Sequence, residues 1–256
     1  VSIKDVFSYK TVERLYDNVI SKEDEGKSFK LKTEQGILSG EVGLLPIQEW
    51  FFKQKFARPN HWNQSFMIKV AELEVDRLRA SVKQLIERHD AFRLRYRQDD
   101  NGIIKQYYDS SAAAEELKIL DVRSLKAKEG SRAFDKELEQ ILTGWQSVFD
   151  LEQGRLYAIG YVHGYTDGSS RIYFALHHLI VDAVSWRIFA QELRALYEGG
   201  VLGKKGSSYR QWVNAVAEYG SAHQSEQAYW RGVIGDYTSQ RLYKLLEPEP
   251  DFQSLE

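Results

Sequence analysis

Apolar residues recur at alternating steps of three and four in several parts of the chain, a spacing that predicts amphipathic helices. The clearest stretches cover residues 75–89, 134–148, 186–196 and 209–219. The third is followed by Gly199-Gly200, and glycine is common just after a helix C-terminus. Each of these stretches is therefore predicted to bury one face against a core.

Other stretches have the shorter period of strands. Phe92, Leu94 and Tyr96 alternate with arginines, and a further strand is predicted to start within residues 61–65. Short apolar runs mark three more candidates, at residues 103–108, 156–162 and 172–176. Because helices and strands are interspersed, the pattern predicts an α/β or α+β fold with a mixed sheet.

The first 20 residues form a separate predicted helical unit, with Thr11 as a suitable N-cap. Its apolar face is made by Val12, Leu15, Tyr16 and Val19. Residues 21–37 are polar, charged and weakly periodic, which is typical of a linker. The dense globular pattern starts near Gly40.

The composition is that of an ordinary globular protein, with 43% hydrophobic and 28% charged residues. The 256 residues suffice for one large α/β domain or two small ones. A net charge of −2 gives no reason to expect nucleic acid or a membrane as a partner. The chain has no cysteine, which excludes disulfides and thiolate nucleophiles. Without a bilayer-length apolar run or a signal peptide, we expect a cytoplasmic location.

The strongest candidate for chemistry lies where an apolar strand ends in His177 and His178, just before a helix that begins near Asp182. Successive side chains of a strand point to opposite faces, so only one histidine can face a given cleft and the other is structural. Histidine suits proton transfer because its unperturbed pKa is about 6.5. From spacing alone, an ordinary hydrogen-bonded histidine is the commoner alternative. Asp182 either caps the helix or pairs with a cation.

Competing site chemistries find little support in the sequence. The histidine pair lacks the spacing of zinc ligands, and the other histidines are scattered along the chain: His61, His89, His163 and His223. Gly-rich phosphate loops are absent, and Ser185 lacks the flanking glycines of a nucleophile elbow. His89 is explained by its place at a helix C-terminus. Arg93 is predicted to pair with a buried acid, for which Asp182 is the candidate.

Several motifs together resemble the epimerisation domains of nonribosomal peptide synthetases, which are relatives of condensation domains. The segment His-His-x-x-x-Asp at residues 177–182, continued by residues 184–188, is similar to their core motif. Further similar stretches follow the family's order, at residues 46–52, 61–65, 88–93 and 207–212. Residues 1–20 also resemble the last helix of a peptidyl carrier domain, with Phe7 and Thr11 in the expected places.

The resemblance implies a chloramphenicol-acetyltransferase-like lobe, with a mixed β-sheet flanked by helices. It divides the chain into a carrier-domain helix (1–20), a linker (21–39), the N-terminal lobe of an epimerisation domain (40–222) and the start of a crossover toward a second lobe (223–256). The family's later motifs, including one with a catalytic glutamate, have no counterpart in the chain. The implied partners are that second lobe and the peptidyl carrier and adenylation domains of the same synthase.

The implied activity is the L-to-D epimerisation of an aminoacyl or peptidyl thioester in peptide antibiotic synthesis. No cofactor is expected to bind directly, because the phosphopantetheine arm of the carrier domain presents the substrate. By match to the motif, His178 is the acid/base and His177 is structural, while Asp182 holds the loop against Arg93. The amides that follow Asp182 are expected to face the enolate oxygen.

Three neighbouring residues complete the expected site. Ala183 stands where the family usually has glycine, and Ser185 and Trp186 belong to the supporting part of the motif. An isomerase is therefore expected, although the chain alone should be inactive because half of the site is missing. A condensation lobe is the alternative, disfavoured by Trp50 and by residues 184–186. A non-catalytic interaction fragment is the third possibility.

Overall fold

The computed structural model describes residues 3–20 and 32–239. These residues belong to two compact units, and the boundary between the units in the sequence lies between Thr33 and Glu34. Most of the predicted linker (21–31) and the later part of the predicted crossover (240–256) lie outside the described residues, as do residues 1 and 2.

Within the first unit, the described residues 3–20 are helical, as their sequence predicts. It contains α1 (Ile3–Tyr9), α2 (Val12–Leu15) and a π-helical turn (Tyr16–Ile20). Thr11 is the N-cap of α2, and its hydroxyl oxygen accepts the amide of Arg14 at 3.3 Å.

The second unit contains the sheets and the longer helices. Its helices are α3 (Pro46–Gln54), α4 (Val75–Arg88), α5 (Arg132–Gln146), α6 (Ala183–Tyr197), α7 (Tyr209–Ala222) and α8 (Glu226–Ser239). Its strands are β1 (Gly40–Val42), β2 (Asn63–Ala71), β3 (Leu94–Gln98), β4 (Ile104–Tyr108), β5 (Lys118–Asp121), β6 (Tyr157–His163) and β7 (Ser169–His177).

The strands of this unit form two sheets. The larger sheet has the order β2-β7-β6-β5, in which β5 and β6 are parallel and the other pairs antiparallel. The smaller sheet has the order β1-β4-β3 and is antiparallel throughout. The predicted α/β (α+β) class with a mixed sheet flanked by helices is therefore confirmed.

The larger sheet is covered on both faces, which explains why residues 172–176 of β7 form a continuous apolar and aromatic run. On one face, Phe174 and Leu176 join the apolar sides of α4 and α6 in the main core. On the other face, Trp145 of α5 packs against Tyr173. Gly160 makes room for this tryptophan, since a Cβ there would lie 2.1 Å from the indole ring.

The structure differs from the predicted elements around residue 92. A 3-10 turn covers Asp90–Arg93, and strand β3 begins only at Leu94. Phe92 is still buried, because the turn directs its ring against Phe189 of α6 at 5.1 Å. The alternation of apolar and charged residues marked the buried positions without separating a turn from a strand.

Candidate active site

The pairing of β7 with β2 determines where the two consecutive histidines lie. His177 is opposite Asn63 at the end of the ladder, and the amide of His178 donates to the carbonyl oxygen of Trp62 at 2.8 Å. Alternation along the strand then separates the side chains. His177 is fully buried, whereas His178 is exposed.

The ring of His177 is bonded at both nitrogens. Its Nε2 lies 2.8 Å from the carbonyl oxygen of Pro59, and its Nδ1 accepts the amide of Leu179 at 3.2 Å. Because a carbonyl oxygen only accepts, the proton of the neutral ring is on Nε2. Burial lowers the pKa of His177 from 6.5 to about 4, so the ring is neutral at pH 7 and built into the fold.

The ring of His178 has the opposite tautomer. Its Nδ1 lies 3.1 Å from the carbonyl oxygen of Val181, which requires the proton of the neutral ring on Nδ1. Its Nε2 lies 3.2 Å from the side-chain nitrogen of Gln64. Nε2 of His178 is thus the nitrogen with the lone pair, at the exposed end of β7.

Asp182 is the N-cap of α6. Its Oδ1 accepts the amides of Val184 at 3.1 Å and Ser185 at 2.8 Å, together with the Ser185 hydroxyl at 2.6 Å. The bond from that hydroxyl is the main reason that the pKa of Asp182 is lowered. Of the two roles that the sequence left open, the structure assigns helix capping.

The predicted ion pair between Asp182 and Arg93 is wrong. Arg93 is buried and forms its ion pair with Asp90, while its Nη1 donates to the carbonyl oxygen of Ile86 at 2.7 Å. The 3-10 turn brings Asp90, three residues earlier, next to the guanidinium. Lys205 also reaches Asp90, at 2.7 Å.

The first amides of α6 are expected from the motif to face the enolate oxygen, and this expectation is wrong for two of them. The amides of Val184 and Ser185 donate to the carboxylate of Asp182, so they are not free to stabilise an enolate oxygen. Ala183 is the first residue of the helix and is exposed.

Sequence reasoning missed the role of Gln64, although residues 61–65 had been noted as a motif. The indole nitrogen of Trp186 donates to Oε1 of Gln64 at 3.3 Å. Trp186 is held by an edge-to-face contact with Phe66, whose centroid lies 4.6 Å away, and Phe66 stacks on Phe174 at 5.1 Å. Only the pairing of β2 with β7 shows that these residues adjoin His178.

A second missed set is a buried hydrogen-bond chain that ends at the loop after His178. Oε1 of Gln48 in α3 accepts the amide of Leu45 at 3.0 Å. Its Nε2 donates to Oε1 of Gln106 at 2.8 Å and to the hydroxyl of Tyr96 at 3.1 Å. That hydroxyl donates to the carbonyl oxygen of Leu179 at 3.3 Å. This series of hydrogen bonds therefore links α3 to Leu179, the residue that follows His178.

Within residues 3–20 and 32–239, no group of three or more histidine and carboxylate side chains is arranged to hold a metal ion. None of the helices in the same ranges is long and apolar enough to cross a membrane.

The sequence matches a known protein family over most of its length. The model of the condensation-domain family matches residues 38–253. The chain belongs to the condensation-domain family. This result establishes the broader resemblance that the motifs predicted, whereas the epimerisation branch stays a prediction.

The curated relatives of the chain are much longer proteins. The chain is 39% identical over 240 residues to N-(5-amino-5-carboxypentanoyl)-L-cysteinyl-D-valine synthase of Penicillium rubens, and the match covers 93% of the chain. The synthase of the same name in Amycolatopsis lactamdurans is 43% identical over 242 residues, covering 94% of the chain. The chain spans about 6% of the length of each.

Solved structures give the same fold. The epimerization domain from the third module of tyrocidine synthetase B matches with a TM-score of 0.67 and 31% identity, over 79% of this chain and 46% of that one. The starter condensation domain of rhizomide synthetase matches with a TM-score of 0.62 and 19% identity, over 76% of this chain and 48% of that one. The expected chloramphenicol-acetyltransferase-like fold is confirmed.

Proposed function

We propose that this chain supplies one acid/base, His178, to an epimerisation site for carrier-bound aminoacyl or peptidyl thioesters. One observation carries the proposal: the exposed ring of His178 is anchored through Nδ1 on the carbonyl oxygen of Val181. Its lone pair is consequently on Nε2, where a proton can be exchanged with a ligand. His177 supports the strand end, and Asp182 supports the helix that follows.

The reaction conserves protons overall. Nε2 of His178 takes the α-proton of the thioester, which leaves an enolate, and a second group returns a proton to the opposite face. The configuration of the α-carbon is then inverted, His178 ends protonated and the second group ends deprotonated. Proton exchange with water restores both groups. The phosphopantetheine arm of a carrier domain belongs to the substrate here, because it only presents the thioester.

Two comparisons support epimerisation over condensation. The chain is 31% identical to a domain described as an epimerization domain, against 19% for the starter condensation domain. In addition, the names of two relatives specify a D-valine product. We therefore propose that the chain is part of a nonribosomal peptide synthetase, with carrier and adenylation domains as its partners.

The second acid/base is proposed to come from another part of the domain. The chain matches 46% of the epimerization-domain structure, and an inversion needs proton exchange on both faces of the α-carbon. On this basis the 256 residues alone should not invert the α-carbon. Inversion by the chain alone would contradict the two-sided site.

The test measures deuterium uptake at the α-carbon of an aminoacyl-carrier thioester in D2O, using the complete domain that contains this chain. His178→Ala should slow exchange by about 100-fold or more, since general acid/base groups contribute about that much. His223→Ala is the matched control, because His223 is also exposed but lies at the end of α7.

Two outcomes would overturn the assignment. Exchange at the wild-type rate in His178→Ala would remove His178 from the reaction. Peptide formation with a second aminoacyl carrier, without α-deuterium uptake and with loss in the same variant, would instead establish a condensation site.

A further inference from the structure

We infer that Gln64 is the positioning residue of His178, and that Trp186 determines which way the Gln64 carboxamide faces. The inference rests on the proposed function, because it concerns how the ring of His178 is presented as a base. The juxtaposition that carries it is a continuous line of contacts from Trp186 to Gln64 to His178.

The direction of each hydrogen bond in this line follows from its first member. An indole nitrogen can only donate, so Trp186 requires an acceptor, and the atom 3.3 Å away is Oε1 of Gln64. The amide nitrogen of Gln64 must then face His178, where it lies 3.2 Å from Nε2. Because an amide nitrogen only donates, Nε2 of His178 must accept.

An independent contact at the other side of the ring gives the same answer. The carbonyl oxygen of Val181 requires the proton of the neutral ring on Nδ1 of His178. Both sides of the imidazole therefore specify one tautomer, with the lone pair on Nε2. Two bonds on opposite edges of the ring also restrict its rotation, which a single bond would permit.

The orientation of Gln64 comes from the core of the larger sheet. Gln64 is paired with Leu176, so His178, two residues further along, is its diagonal neighbour on the same face. Trp186 is fixed by Phe66, the next residue on this face of β2, and Phe66 stacks on the buried Phe174. A packed aromatic column thus holds the indole that orients the carboxamide.

This arrangement has a consequence for the reaction. The amide of Gln64 occupies the lone pair of His178 that has to accept the α-proton. A proton on Nε2 would face a second donor, so the carboxamide has to move away as the thioester arrives. Gln64 accordingly holds the ring ready in the absence of substrate and gives up its place to the substrate.

The first test is the tautomeric state of the ring in the 256-residue chain, measured by long-range proton–nitrogen NMR with labelled histidine. In the wild type at neutral pH, His178 should have its proton on Nδ1. In Gln64→Glu, one carboxylate oxygen can still accept from Trp186, but the other faces Nε2 as an acceptor. The Nε2 of His178 should then become protonated.

The chain provides its own controls for this measurement. His177 should keep its proton on Nε2 in every variant, which reports that the strand end is folded. Lys69→Ala, at an exposed position further along β2, should leave both histidine signals unchanged. An unprotonated Nε2 of His178 in Gln64→Glu, with the His177 signals intact, would overturn the inference.

The second test uses α-deuterium exchange from an aminoacyl-carrier thioester in the complete domain. Gln64→Ala and Trp186→Phe should each lower kcat by about 10-fold or more, because misplacing a catalytic group is costly even over short distances. KM should change by less than about 2-fold in Trp186→Phe, since Trp186 is not assigned to substrate binding. In Gln64→Ala, KM should not rise, because the amide that the substrate displaces is absent. Lys69→Ala should retain the wild-type rate.

The two proposals can fail separately. Unchanged kcat in both Gln64→Ala and Trp186→Phe, with exchange abolished in His178→Ala, would overturn the positioning role and leave the proposed function intact. Exchange that persists in His178→Ala would overturn the proposed function, while protonation of Nε2 in Gln64→Glu would still establish the contact between Gln64 and His178.

Discussion

The Nε2 of His177 donates to the carbonyl oxygen of Pro59, a residue 118 positions earlier in the chain. Because the amide of Leu179 occupies Nδ1, the neutral ring has both nitrogens satisfied, and a second proton would face a donor. Burial acts in the same direction and lowers the pKa of His177 from 6.5 to about 4.

The first prediction concerns stability and pH. Between pH 6.5 and 4 the unfolded chain binds a proton at His177 that the folded chain does not, so the free energy of unfolding falls as the pH is lowered. The contribution is fully present above pH 6.5, and on the order of 3 kcal/mol is lost near pH 4. Urea unfolding at several pH values measures it.

His177→Gln should flatten this pH dependence, because an amide can still donate to Pro59 but does not titrate. Asn63→Ala, at the position of β2 that pairs with His177, removes no titratable group and should preserve the slope. The same slope in His177→Gln as in the wild type would assign the pH dependence to other groups.

A second prediction separates the two carboxylates that could have paired with Arg93. Arg93→Ala should destabilise the fold by about 1 to 3 kcal/mol, because the buried carboxylate of Asp90 keeps only Lys205 as a cationic partner and the carbonyl oxygen of Ile86 loses its donor. A double-mutant cycle between Arg93 and Asp90 should give a coupling energy above about 1 kcal/mol. The cycle between Arg93 and Asp182 should give less than about 0.5 kcal/mol, and strong coupling there would restore the ion pair expected from the sequence.

A third prediction concerns the cap of α6. Asp182→Ala should cost about 0.5 to 2 kcal/mol, because the amides of Val184 and Ser185 lose their acceptor, whereas Asp182→Asn should retain most of the stability. The lowered pKa of Asp182 means that its ionised carboxylate adds stability to the folded state. This added stability is present above pH 3.8 and is lost as the pH falls through the folded-state value. Thermal unfolding of both variants measures the cost. Arg187→Ala, an exposed change in the same helix, should have little effect.

A fourth prediction concerns the buried hydrogen bonds that connect Gln48 through Tyr96 to Leu179, in the loop after His178. Tyr96→Phe removes the donor to Leu179 and leaves an amide hydrogen of Gln48 buried without an acceptor. The cost should be about 1 to 3 kcal/mol, and amide exchange at Ile180 should become faster. Tyr107→Phe, on the neighbouring strand with a half-buried ring, is the control. Equal effects of the two changes would argue against a tie between Tyr96 and the loop.

The sequence predicted the longer elements well because their apolar periodicity reflects burial on one face. Helices α4, α5, α6 and α7 all lie where spacing placed them. Strand β5, by contrast, has only four residues, and its pairing with β6 is set by contacts that local pattern does not contain.

The part of the site that the sequence predicts also depends on a local pattern. Strand alternation correctly gave one buried and one exposed histidine. The partner of Arg93 was predicted wrongly because the choice between Asp90 and Asp182 depends on a 3-10 turn that looks like a strand in sequence. Gln64 lies 114 positions from His178 in the chain, so only the strand pairing brings them together.

The nine pairs of the β2–β7 ladder, from Asn63–His177 to Ala71–Ser169, have a consequence for how this site tolerates change. A shift of β7 by a single position would exchange the faces of every side chain on it. If His178 moved into the position of His177, it would become buried, and His177 would move into the equally buried position of Leu176. The chemically identical rings of His177 and His178 are therefore distinguished by their positions along the strand. A one-residue insertion in the middle of β7, about 17 Å from His178 along the strand, would change the position of the reactive histidine wherever the strand shifted instead of forming a bulge.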